Sequence, residues 1–169
     1  MSNSDKEPRG GGTSSATVLD AVVVFSESNS ILRVSERFIW RLSLLSLILS
    51  KCRGQAAKLS TLHALSWALH SSSTRMLARK WWNEPDTADL ATLRTDPRLD
   101  TTISIAAAED LVEVSSSGRI ELTGRGKEFG ALLDGDKNLM AEEKAFLRDL
   151  APINDTQVSR RIGGPGLAG

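Results

Sequence analysis

One cysteine stands in this chain of 169 residues, so no intramolecular disulfide can staple it. Cys52 follows an apolar helical stretch and reads as a buried structural thiol, a pattern that fits a reducing compartment. Histidine is almost as scarce. His63 and His70 fall on one expected helix, about two turns or roughly 10 Å apart by helix rise. A shared metal usually wants a spacing of about three or four, and no cysteine or carboxylate cluster stands beside them. No apolar run is long enough to cross a bilayer: the longest, residues 38–49, is interrupted by Arg41. The opening MSNSDKEPRGGGTSS has neither the apolar region of a signal peptide nor the Arg-rich amphipathic pattern of a transit peptide. The expectation is a soluble, cytoplasmic chain with no membrane partner. Net charge is missing as well, with 21 Lys and Arg against 21 Asp and Glu, so the whole molecule is not a polycation built to coat nucleic acid.

Signals of catalysis are equally thin. Asp134-Gly135-Asp136 opens like a calcium loop, but the ligand pattern is not completed. Gly124-Arg125-Gly126-Lys127 invites a phosphate-loop reading. The positions where such a loop needs an earlier glycine and a following Ser or Thr hold Glu121 and Glu128. The chain therefore reads as a non-enzyme, with no catalytic residue, cofactor or metal site expected.

What is present is a 40% hydrophobic composition, enough for a core of ordinary size, and a strong division of charge. Residues 36–83 carry eight basic groups and one acidic, net +7; residues 84–117 carry two basic and eight acidic, net −6. Residues 1–17 read as a disordered tail, and 18–25, VLDAVVVF, as a strand that would join the domain's own sheet or a partner's edge. Helices are expected from about Val34 to Lys51, from Gln55 to His70 and from Thr74 to Trp82, the last with Arg75, Arg79 and Lys80 outside and Met76, Leu77 and Trp81 inside. The first is apolar around so much of its circumference that it should lie at the centre. A later helix spans Ala141 to Leu150, and 151–169 reads as a flexible C-terminal tail.

The stretch from Arg94 to Leu133 organises the chain. Asp96 or Thr95 can cap a helix whose first position is Pro97, where a missing N–H costs nothing. Val112 and Val114 alternate with Glu113, and Ile120 and Leu122 alternate with Arg119 and Glu121, the period of a half-buried hairpin turned at Ser115-Ser116-Ser117-Gly118. Thr123 then caps a helix carrying Phe129, Leu132 and Leu133. The fold class is mainly α with a small antiparallel β-hairpin: a winged helix-turn-helix with extra helices, over residues 18–150. In such a fold the helix before the hairpin is the one that enters the major groove of DNA. Here it offers Arg98, Thr101, Thr102 and Ser104 against Asp96, Asp100, Glu109 and Asp110. Apart from Arg98 it has none of the bidentate donors that dominate base recognition. The wing supplies Arg119, Arg125 and Lys127, enough for a few phosphate contacts and little specificity.

The helices RFIWRLSLLSLILSK, LSTLHALSWAL and RMLARKWWN, followed by a winged segment ending IELTGRGKEF, also resemble a known family. Their order over residues 18–150, with the L-T-x-x-G run at Leu122, Thr123 and Gly126, is similar to the small middle subunits of bacterial ABC-three-component defence systems, including the accessory subunit of Lamassu-type systems. The resemblance implies a non-catalytic adaptor between an SMC-like ATPase and an effector, often a nuclease, in anti-phage or anti-plasmid defence. Any DNA contact would be non-specific and made through the complex. The alternative on the same fold is a DNA-binding transcriptional regulator.

Overall fold

A computed structural model describes residues 37–85 and 95–163. The expected N-terminal tail, the strand over 18–25 and residues 164–169 lie outside the described residues. The architecture is mostly helical, with one small antiparallel sheet. Helix α1 covers 37–51 and every residue from Leu42 to Leu49 is buried, Ser43 and Ser46 included, so it runs through the core as its composition requires. After it come β1 (Ala56–Ala57), α2 (Leu59–Ala68), α3 (Ser72–Asn83), α4 (Pro97–Ala108), β2 (Val112–Val114), β3 (Ile120–Leu122), α5 (Gly124–Gly135), α6 (Ala141–Leu150) and α7 (Asp155–Val158). The last continues into a wide π-type turn over Ser159–Gly163.

Strand β1 was not legible in the sequence, which reads as helix from Gln55. Gly54 and Gln55 both adopt positive φ, 73° and 56°. Two left-handed residues in succession turn the chain out of α1 and lay Ala56 and Ala57 against Glu121 and Ile120 of β3. The sheet order is therefore β1-β3-β2, all antiparallel. Helix α2 starts only at Leu59, and that residue faces outward, 41% exposed, while Leu62, Leu65 and Leu69 are buried. In α3 a Ser71–Thr74 capping box fixes the start. The buried face is Ala78 and Trp81, with Leu77 half-buried; Met76, expected inside, is 69% exposed. Trp81 stacks on Trp67 of α2, ring centroids 5.2 Å apart.

The α4–wing–α5 segment follows its local signals closely. Asp96 accepts from Arg98 N–H with Pro97 at the first turn. Helix α4 ends in a Schellman arrangement: Leu111 N–H donates to Ala106 O (2.8 Å) and Asp110 N–H to Ala107 O (3.1 Å), with Asp110 at φ 57°. Val112 pairs with Leu122 and both are buried, whereas Val114 near the hairpin tip is 65% exposed. On α5 Leu133 is buried and Leu132, expected to pack, is exposed.

The boundary of the domain lies later than 150. Ile153 bridges Cys52 in parallel, donating to Lys51 O and accepting from Arg53 N–H. Ile153, Val158 and Ile162 are all about fully buried. Residues 151–163, read as tail, thus complete the core. Their apolar positions are too few and too spread among polar residues to register as a pattern.

The L-T-x-x-G run now has a physical reading. Thr123 Oγ1 accepts from Gly126 N–H (3.0 Å) and donates to Asp110 O (2.5 Å), and Thr123 N–H donates to Leu111 O. This draws α5 so close to the end of α4 that a Cβ on Gly126 would lie 1.9 Å from the Leu111 carbonyl oxygen. Gly126→Ala is expected to cost about 3 kcal/mol or more, read by urea unfolding. Gly124→Ala, with open space around its Cβ, should change stability by no more than about 0.5 kcal/mol.

Candidate functional site: the wing and the helix before it

The wing cations expected to contact phosphates divide into two kinds. Arg119 is only 31% exposed and turns inward: its Nε lies 3.2 Å from Asp155 Oδ2, and its Nη2 donates to Ala56 O (2.6 Å) and towards Arg53 O (3.5 Å). The Nε contact is an ion pair without good hydrogen-bond alignment. Asp155 uses its other oxygen to accept from Lys58 N–H (2.9 Å) and Thr61 Oγ1 (2.7 Å) at the start of α2. Arg119 is thus a clamp between the hairpin, β1 and α7, with its Nε and Nη2 already engaged within the fold. Arg125 and Lys127, on the first turn of α5, are exposed and have no ion pair among the described residues.

Helix α4 presents Asp100, Thr101, Ser104, Ala107 and Ala108 outward, with Arg98 as its cation. Thr102 is buried, its hydroxyl donating to Arg98 O, so it is not available to a base. Ser104 Oγ likewise donates back to Asp100 O. On the wing, Glu113 and Glu121 stand directly opposite each other in register. The surface that would approach DNA is therefore small, acidic and short of donors.

Three of the eight cations of the basic helical half are paired within the fold, and their partners come from α5 and α6. Lys51 pairs with Asp134 (2.8 Å), Arg75 with Glu142 and Glu143, and Arg79 with Asp149 (2.6 Å). The Lys51 ammonium holds the Asp134 carboxyl below the usual carboxylate range, chiefly through their hydrogen bond. The small stabilisation that this brings is present at neutral pH and lost as pH falls through the lowered value. Lys144, itself buried, donates to Asp136 O at the end of α5, where a cation favours the helix dipole.

The remaining chemical candidates do not converge. His63 Nε2 lies 3.8 Å from Asp100 Oδ1 and its Nδ1 is buried without a partner, while His70 is exposed. No group of three or more metal-ligating side chains occurs among the described residues. Cys52 is 5% exposed, and burial above all, then the nearby Asp155 charge, pushes its thiol up to about 12, with Arg119 opposing. Such a thiol is almost wholly protonated at neutral pH and is no nucleophile there.

Comparison with protein-family models, with curated proteins and with solved structures finds no match for this chain.

Asp155 is the residue that sequence reasoning missed. Its one signal is Asn154, an N-cap residue that accepts from Gln157 N–H and marks a helix start within the expected tail. Asp155→Ala leaves Arg119 half-buried without its counter-ion and should lower stability by about 2–3 kcal/mol, measured by denaturant unfolding; Arg125→Ala should leave it within about 0.5 kcal/mol. Cys52 should resist a disulfide-exchange reagent at pH 8 in the native state and react at full rate only after unfolding.

Proposed function

We propose that the chain is a non-catalytic winged-helix adaptor, a protein-docking subunit rather than a reader of DNA sequence. The winged-helix reading draws on the element order, helix–strand–helices–hairpin, together with the β1-β3-β2 sheet. One observation carries the functional reading. The helix that would enter the major groove presents carboxylate and small side chains outward, while Lys51 of α1 and Arg75 and Arg79 of α3 are paired with α5 and α6. Carboxylates repel phosphate, and small exposed side chains let another backbone approach closely.

The identity of the partners is supported by the sequence resemblance alone: an SMC-like ATPase and an effector, such as a nuclease, of a bacterial defence complex. On this reading the adaptor joins the two, and DNA is met only non-specifically by the assembly. A DNA-binding regulator is the second reading, favoured by the exposure of Arg125 and Lys127 on the wing-proximal helix.

The two readings separate experimentally. Co-expressed with an SMC-like ATPase and effector encoded beside it, the adaptor is expected to co-purify as a stable complex. It should lose that complex when Ser104 and Ala108 are both changed to Arg. A chain that remains monomeric and ignores both proteins would defeat the adaptor reading. Alone, it should show no preference between DNA sequences at low salt, with any weak binding lost between about 50 and 200 mM salt. A defined operator whose affinity falls in Arg125→Ala and Lys127→Ala would establish the regulator instead.

A further inference from the structure

On the side of the sheet where the Arg53–Gln55 turn meets the start of β3 lies an open groove of about 760 Å³. Its remaining wall is formed by residues 154–157 and by Arg160 and Arg161 of the last described turn. Four arginines line it, Arg53, Arg119, Arg160 and Arg161, against one carboxylate, Asp155. In a chain of zero net charge this is a local excess of three positive charges.

The four are not equivalent. Arg119 is held by Asp155 and the Ala56 carbonyl, and Arg161 donates to the Trp82 carbonyl with its guanidinium 5.3 Å from the Trp82 ring centroid. Those partners fix both side chains but neutralise only Arg119. Arg53 and Arg160 are exposed, and neither side chain has an ion pair or hydrogen bond among the described residues. Gly54 leaves the wall beside Arg53 open, since nothing lies within 4 Å of where its Cβ would be. Gln157, in the same wall, keeps Oε1 buried without a partner.

Guanidinium groups present planar forks that match phosphate oxygens bidentately. One fixed fork, Arg161, and two unengaged ones, Arg53 and Arg160, around one concavity therefore suit a ligand with more than one phosphate oxygen face. The volume lies within the range of small-molecule sites, about 300–1,000 Å³, and exceeds what a lone phosphate needs. The neighbouring strands carry Glu121, opposite Ala56, and Glu113 beyond it. The cationic surface therefore does not continue across the sheet as a track for a nucleic-acid strand would.

We propose that this groove binds a small phosphorylated ligand of nucleotide size, with Arg53 and Arg160 as its free cationic donors and Arg161 as a fixed one. The site is independent of the adaptor reading. Titration of the full chain with ADP at low salt, followed by calorimetry and by thermal unfolding, is expected to show saturable binding and a raised melting temperature. The double variant Arg53→Ala/Arg160→Ala should weaken that binding at least tenfold, while Arg125→Ala leaves it unchanged. Inorganic pyrophosphate as a second ligand tells whether the diphosphate alone is recognised: equal affinity assigns the site to inorganic diphosphate, and weaker affinity assigns it to the nucleotide. Absence of saturation by both at millimolar concentration overturns the proposal. So does binding that survives the double variant, or capture of single-stranded DNA in preference to both.

Discussion

The carboxylate of Asp155 is the contact on which the sheet depends. Strand β1 is two alanines long and makes two residue pairs with β3, far too little for a strand to hold itself in place. What holds it is the Arg119 guanidinium, which binds the Ala56 carbonyl while Asp155 holds the guanidinium. The same carboxylate supplies the acceptor for Lys58 N–H and the Thr61 hydroxyl, where α2 has no cap of its own. One ion pair thus fixes the strand, the helix that follows it and the hairpin beside it. Its charges are only partly withdrawn from water, and their hydrogen-bonding atoms are mostly met within the fold, the conditions under which such a pair holds its place.

This arrangement explains which parts of the chain were legible and which were not. The segment from Asp96 to Leu133 carries its structure locally. Asp96 and Thr123 are caps, Pro97 sits in the first turn, the strands alternate, and Gly118 takes a φ of 73° at the hairpin turn. Each signal acts within a few residues, so the sequence displays it. The burial of α1 was legible for a similar reason, since eight consecutive buried positions need nearly unbroken hydrophobicity. Strand β1 has no such signal: alanine favours helices, and only the left-handed pair Gly54–Gln55 and the edge of β3 make it a strand. The C-terminal segment was misread because Ile153, Val158 and Ile162 fill gaps left by other elements. Their partners lie about a hundred residues earlier, and periodicity does not report that. Arg119 was visible as a wing cation, but its role is set by Asp155, inside the segment taken for tail. Met76 and Trp81 illustrate a finer limit: both suit a core, and the Trp67 ring decides which face of α3 turns inward.

Charge placement follows the same logic at larger scale. The carboxylates paired with Lys51, Arg75 and Arg79 of the basic stretch do not come from the acidic stretch that follows it. The pairs run instead from α1 and α3 to α5 and α6. Exposed pairs of this kind contribute about 0–1 kcal/mol each to stability, so their main consequence is for the surface that remains. They use up cations that would otherwise face solvent and leave the carboxylates of α4 and the wing in view. They also leave the other arginines of the groove uncancelled, because Asp155 is committed to Arg119. The molecule is neutral in sum and bipolar in detail.

That bipolarity bears on how the proposed winged-helix adaptor would work without reading DNA. A base-reading helix needs long, flexible donors that reach about a side chain's length into a groove. Thr101, Ser104, Ala107 and Ala108 are too short for that at any protonation state or salt concentration. Reversing the charge of Asp100 alone would therefore not create a reader, because the reach would still be missing. Short side chains do allow two backbones to pack closely, and a carboxylate at the edge of such a face sets register by excluding acidic partners. The acidic face of α4 and the arginine groove beside β1 would then select for opposite chemistries. A docking face on α4 suits the adaptor reading, whereas a regulator pressing that face on a polyanion is opposed by its carboxylates.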